Sequence, residues 1–280
     1  MALASPRYAL EDETRQGRRD RLWAIFAVNF RLRGTRTLVT VFAVIGFIAT
    51  FVPLMVTVFT SQLLGGSSSA AMSVFALPYN GFLLFIFIML LSALAGGGII
   101  ADDLGSKSIS LYLSRPITLS DYLAAKGAVV AAILGLIAVI PGVVTVMVAF
   151  LLGYVSATVA AEAFAVYLGL GILLTVTFSS IALFLSSLTD RSAWAASGIF
   201  ALLLMDDIVA GIIGGVSNNV YWLYISPWED MGSIARYLFS VSVTGPSLNP
   251  AVAFAVLAGI TICLCSATYV RLNRMELVTE

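Results

Sequence analysis

Six apolar stretches alternate with polar connections along the chain: Thr37 to Phe59, Asn80 to Ile100, Gly127 to Leu152, Ala163 to Leu188, Ala193 to Val216 and Ala251 to Val270. None contains Lys or Arg. A helix of about 20 apolar residues spans a hydrocarbon core of about 30 Å, and lipid offers the backbone no hydrogen-bond partners, so each stretch reads as a transmembrane α-helix. Pro53 and Pro141 fall inside two of them and predict kinks. Ahead of the first crossing, DRLWAIFAVNFRLR puts Leu22, Ile25, Phe26 and Phe30 on one helical face, with Arg21 and Arg31 away from it and Trp23 near the flank. That is the pattern of a helix lying in the membrane interface. A straight extension of the first crossing is the other reading, and a break at Gly34 weighs against it.

The connections differ in kind. The first outer one, GGSSSA, is a flexible Gly/Ser loop, and the third is a short turn near Tyr154 to Ala160. Between Val216 and Ala251 the chain is instead rich in Tyr and Trp and punctuated by Pro227, Pro246 and Pro250, which predicts short helices dipping into the outer leaflet. The organisation expected is an N-terminal region, 1–36, with its interfacial helix, followed by a six-helix domain, 37–280. Within that domain lie a polar connection at 102–126 and the aromatic one at 217–250.

Composition agrees with the pattern. Of the 280 residues 60% are hydrophobic and 11% charged, against about 25% charged in a soluble domain, and the mean hydropathy is +1.02. Fifteen basic residues balance fifteen acidic ones, so no global charge favours nucleic acid as a partner. Their distribution is informative: with the N-terminus inside, fourteen of the fifteen Lys and Arg residues fall on the inner side and Arg236 alone lies outside. This bias places both termini of a multi-pass plasma-membrane protein in the cytoplasm. The polar first twenty residues, including Glu11, Asp12 and Glu13, have no apolar core with a small-residue cleavage site, and no cleavable leader is expected. Cys263 and Cys265 lie two apart in one helix and point to different faces, so they cannot pair. Histidine is absent, which removes the commonest metal ligand and general base and argues against a metal-dependent or triad-type enzyme.

The connection ADDLGSKSISLYLSRPITLSDYLAAKG carries apolar positions at Leu104, Ile109, Leu111, Leu113 and Ile117, so it folds as short amphipathic helices against the membrane or a partner. Pro116 breaks it, and Ser120 caps a helix that runs through Lys126 into the third crossing. It resembles the corresponding loop of type-2 ABC exporter permeases, the ABC-2 family. Asp102 and Asp103 stand for that family's acids, LYLSRP for its Leu-rich run ending Ser-x-Pro, and Tyr122 with Lys126-Gly127 for its tail. Lys107-Ser108 replaces the family's Gly-Thr, and Lys126 precedes its glycine instead of following one.

The resemblance implies a permease subunit that dimerises, as a homodimer or with a paralogue, among membrane lipids, and exports substrate using a separate ATPase subunit. The connection would be a cytoplasmic coupling helix contacting that ATPase through Asp102, Asp103, Lys107, Ser108, Leu111, Tyr112, Ser114, Arg115, Pro116, Tyr122 and Lys126. No cofactor is expected on this chain, and ATP with Mg would bind the partner. DLGSKS is not a phosphate-binding loop, because Ser106 rather than glycine precedes Lys107 and a membrane helix rather than a strand precedes the loop.

The remaining outlier is Asp206-Asp207 in the fifth crossing. Counted from Ala193 at 1.5 Å per residue, Asp206 lies about 20 Å deep, and each buried acid costs about 2.5 to 3.5 kcal/mol to insert. Neighbouring helical positions differ by about 100°, so one acid lines a wet substrate path while the other is tied to a neighbouring Ser or Thr. A helix that ends early, leaving both acids at the headgroups, is the competing reading. Gly96-Gly97-Gly98 and Gly211-x-x-x-Gly215 permit close helix approach, read first as packing within the chain. Glu162, Glu229 and Asp230 read as solvated. A proton-coupled secondary transporter using Asp206 or Asp207 is the main alternative function, ahead of an intramembrane enzyme or a non-transporting scaffold.

Overall fold

The computed structural model describes residues 18–65, 72–108, 118–242 and 247–278. Their regular structure is helical. Helix α1 (Arg18–Gly34) is followed by α2 (Thr37–Leu63), α3 (Leu77–Asn80), α4 (Phe82–Gly96) and α5 (Ala101–Gly105). Then come α6 (Leu119–Ala138), α7 (Ile140–Leu151), α8 (Ala157–Ser187), α9 (Ser192–Ser217), a 3₁₀ turn (Val220–Ile225), α10 (Pro227–Leu238) and α11 (Pro250–Val278). Among the described residues six spans are long and apolar enough to cross a membrane: Thr37–Leu63, Phe82–Gly105, Leu119–Leu151, Ala157–Ser187, Ser192–Ser217 and Pro250–Met275. The chain is an all-α integral membrane protein.

The third crossing starts at Leu119, ahead of the apolar run, because the Thr118 hydroxyl accepts the Asp121 amide at 3.2 Å. Thr118, not Ser120, is therefore the cap. Helix α2 passes through Pro53 without interruption, whereas the third crossing breaks at Val139, beside Pro141. There the Tyr79 hydroxyl donates to the Ala138 carbonyl at 3.1 Å, satisfying a backbone group at the break. The second crossing also leaves α-geometry, at Gly97 to Ile100. Ser186 of α8 repairs that gap: its hydroxyl accepts the Ile100 and Ala101 amides at 3.0 Å each and donates to the Gly97 carbonyl at 2.8 Å.

Helix α8 is the central post, packing on α6, α11, α7, α4 and α9. The hydropathic windows of the second, third and fourth crossings are 78%, 56% and 61% buried within the chain, against 22%, 17% and 17% for the first, fifth and sixth. Three crossings thus form the core and three leave broad apolar faces to lipid or another chain. Helix α1 ends at Gly34 and folds onto α6 instead of prolonging α2. Its buried positions include Asn29 and Arg33, while Trp23, Val28 and Leu32 stay exposed.

The expected glycine contacts divide. A Cβ at Gly97 would lie 2.6 Å from the Ala93 carbonyl oxygen and 2.8 Å from Ala196 Cα, so that glycine serves packing inside the chain. Gly211 and Gly215 meet nothing within 4 Å, which corrects the expectation that they pack inside the chain. The GGSSSA loop beyond Gly65, Pro246 and the acids Glu11 to Glu13 lie outside the described residues.

Candidate functional site

The densest charge cluster lies where α1, the end of the second crossing and the start of the third meet. Helix α1 presents Asn29 and Arg33, four residues apart and hence on one face. Asn29 donates to the Ile25 carbonyl at 2.8 Å, and its side-chain oxygen accepts from Lys126 Nζ at 2.8 Å. Lys126 Nζ is 2.7 Å from Asp103 Oδ2, and the Tyr122 hydroxyl donates to the same oxygen at 2.6 Å. The Lys126 ammonium also sits 5.4 Å from the centroid of the Tyr122 ring. Next to this set, Arg33 donates to Asp102 Oδ2 at 3.0 Å and to the Gly98 carbonyl at 2.5 Å, and Arg36 lies 3.7 Å from Asp102.

Burial decides how strongly these pairs hold. Lys126 is 1% and Asp103 14% exposed at the side chain, so neither charge is well hydrated and each depends on the other. Burial lowers the pKa of the Arg33 guanidinium and Asp102 opposes the shift. Gly98 makes the approach possible, since a Cβ there would lie 2.5 Å from Asp102 Oδ2 and 2.7 Å from an Arg33 nitrogen. What the arrangement can do is mechanical. It fixes both ends of the 102–126 connection to each other and to α1.

Of the residues expected to contact an ATPase, Asp102, Asp103, Tyr122 and Lys126 are gathered in this cluster. Tyr122 and Lys126 are both 1% exposed, so they face inward in this arrangement, a correction to their expected place on a docking surface. Lys107 is exposed, Ser108 is half-buried, and Lys107 takes a positive φ of 55°. The whole run with Leu111, Tyr112, Ser114, Arg115 and Pro116 lies outside the described residues, as do Ile109, Leu113 and Ile117. Asn29, Arg33 and Arg36 were not singled out from sequence. The signal available was an Asn and an Arg one helical turn apart on α1.

On the opposite face, helix α9 continues ten residues past Asp207 to Ser217, which removes the reading in which it ends at the acids. Asp206 falls on the stripe of Ile199, Leu203 and Ala210, which are buried in the bundle. Asp207 accepts a hydrogen bond from Ser226 at 2.9 Å, matching the expectation that one acid is tied to a hydroxyl. Ser226 caps α10 by accepting the Glu229 amide at 3.3 Å. Since Asp207 lies ten residues, about 15 Å, before the end of α9, the 3₁₀ turn folds back along that helix, and α10 then packs on α11 and α3.

Helix α10 holds a second surprise. Asp230, expected to be solvated, is 0% exposed and neither carboxylate oxygen has a hydrogen-bond partner among the described residues. Burial, and then Glu229 beside it, push its pKa up to about 8. Burial raises Glu229 as well, against the pull of Arg236, which lies 4.0 Å away and donates to Asn80 at 2.6 Å.

A comparison with curated proteins finds no match of significant similarity. The family model described as ABC-2 family transporter protein matches residues 11–277, nearly the whole chain. With six membrane-spanning helices around one core and that match along its length, the chain belongs to the ABC-2 transporter family and is a membrane component of a transporter.

Proposed function

We propose that this chain is the permease subunit of an ATP-driven exporter of the plasma membrane, its Arg-rich face in the cytoplasm. It works as a dimer in which each copy couples to an ATPase subunit through the 102–126 connection. The carrying observation is the double anchor on that connection, Asp102 to Arg33 and Asp103 to Lys126. A segment tied at both ends to two core crossings passes displacement into the bundle, where a solvated loop would absorb it. ATP closure of the ATPase pair would push on the segment between the anchors, and the energy enters through contacts that differ between two states. Lys107 stands at the exposed edge of that segment. ATP and Mg belong to the partner in this reading.

The open faces of the first, fifth and sixth crossings supply apolar surface for a second copy, and Gly211 and Gly215 let a neighbouring helix come close. Asp206, on the inner stripe of the fifth crossing, is the residue we assign to the substrate path, with Asp207 held by Ser226.

The test is co-purification of tagged chain from its native membrane. A stoichiometric ATPase supports the reading, and substitution Asp102→Lys should then lower the hydrolysis that the membrane subunit stimulates while the ATPase stays bound. No ATPase in the complex would move the function to a proton-coupled transporter, for which Asp230, buried and without a hydrogen-bond partner among the described residues, and the Asp206-Asp207 pair are the specific support. If Asp206→Asn and Asp207→Asn both leave transport intact in reconstituted vesicles, neither acid lines the path.

A further inference from the structure

The elbow between α1 and α2 encloses an apolar groove. Its volume is about 500 Å³, within the range of pockets that hold a small ligand, about 300 to 1,000 Å³. One wall is α2 from Val39 to Phe47, another is the broken third crossing around Leu136 and Ile140, and Phe30 closes the end under α1. The eight residue steps from Val39 to Phe47 make the groove about 12 Å long, close to the depth of one leaflet of a hydrocarbon core of about 30 Å. Leu136 and Ile140 are exposed there, so the groove opens toward lipid.

Arg31 is the one charged residue on the lining and is exposed; among the described residues no acid pairs with it, and Asp102 is held by Arg33 and Arg36. The hydroxyls nearby are spent on the backbone: Thr35 donates to the Arg31 carbonyl at 2.5 Å and Thr40 to the Gly34 carbonyl at 2.8 Å. An unpaired guanidinium above an apolar slot of leaflet depth complements one molecule type, a phospholipid with net negative charge. Its phosphate would take the planar fork of Arg31 and one acyl chain would fill the slot.

We propose that this groove is a binding site for a single anionic phospholipid of the leaflet on the Arg-rich face, holding α1 against the bundle. The proposal rests on the six-helix membrane fold and needs neither the ATPase nor a transported substrate. The test is native mass spectrometry of the purified chain in detergent, titrated with phosphatidylglycerol and phosphatidylcholine of equal chain length. The first phosphatidylglycerol should be held about fivefold tighter or better. Arg31→Gln should abolish that preference, Ala43→Trp, which fills the slot, should abolish tight binding of both lipids, and Arg19→Gln on the same helix should change neither. Equal retention of the two lipids by the wild type, or a preference that survives Arg31→Gln, would overturn the site. If Ala43→Trp does not fold, judged by its melting temperature, the comparison of Arg31→Gln with Arg19→Gln decides alone.

Discussion

The two ends of the bundle treat buried charge in opposite ways. On the Arg-rich face every carboxylate of the cluster has a cation: Asp102 has Arg33 and Arg36, and Asp103 has Lys126 with the Tyr122 hydroxyl. On the opposite face Asp207 has a serine hydroxyl, and Asp230 has no hydrogen-bond partner among the described residues. Charges that satisfy one another inside one chain make a rigid joint, whose value lies in keeping its shape. Acids left unsatisfied cost stability without making a joint, so their use lies outside the folded chain alone, in a proton, a solute or a second copy.

The sharpest way to break the contrast is Lys126→Met. It leaves Asp103 mostly buried with only the Tyr122 hydroxyl, and removing one partner of a buried pair costs about 3 to 5 kcal/mol. Thermal unfolding in detergent should show that loss, and adding Asp103→Asn should restore part of it. If the two substitutions simply add, the pair is not coupled.

The next largest effect compares glycines at the two ends. Gly97→Ala drives a methyl toward backbone atoms of Ala93 and Ala196 that cannot step aside, a kind of overpacking that costs about 1 to 3 kcal/mol. Gly211→Ala meets open space and should change the stability of the isolated chain by less than about 0.5 kcal/mol. A drop in dimer content for Gly211→Ala, measured at unchanged melting temperature, would place the fifth crossing in the subunit contact.

How much of this was legible in sequence follows from what each feature depends on. The six crossings rest on apolar length, which is local, so all six were found and only their ends moved; Thr118 started the third early through a capping bond that sequence offered equally to Ser120. The bundle's Arg-rich end was half legible. Asp102, Asp103, Tyr122 and Lys126 stood out as charged or aromatic loop residues, but their inward turn depends on Arg33 and Asn29, 69 and 97 residues away in sequence from Asp102 and Lys126. Helix α1 read as amphipathic by its Leu, Ile and Phe, and the polar residues on its buried face carry the contact. Asp230 was misplaced for the same reason: a charge near Trp and Pro reads as solvated, and only the packing of α10 into the bundle buries it.

Asp230 gives the third prediction. Its carboxyl has a pKa raised from 3.8 to about 8, so over that window the folded protein holds a proton that the unfolded chain releases. Stability therefore falls as pH rises from the lower value to the upper. Asp230→Asn mimics the protonated form at every pH and should remove up to about 1.4 kcal/mol of that loss per pH unit. Melting temperatures between pH 5 and 8 should be flatter in the variant than in the wild type, with the largest gain at pH 8. Parallel curves would mean that Asp230 finds a partner in solution.

The smallest effect returns to the paired end. Lys107 sits at a φ of 55° just after α5, a left-handed conformation that costs a side-chain-bearing residue about 1 to 2 kcal/mol and that glycine adopts freely. The bend would suit glycine, so the backbone does not explain the lysine. Lys107→Gly should relieve the bend but lose about 0.4 to 1 kcal/mol to the freer unfolded chain, for a net gain near 0.5 kcal/mol. Lys107→Asn tolerates the same conformation without that entropy loss and should gain slightly more. If both variants melt higher than the wild type yet stimulate less hydrolysis in a bound ATPase, Lys107 is kept strained for its charge. If stimulation is unchanged, the edge of the connection carries no contact, and coupling runs through the anchored ends alone.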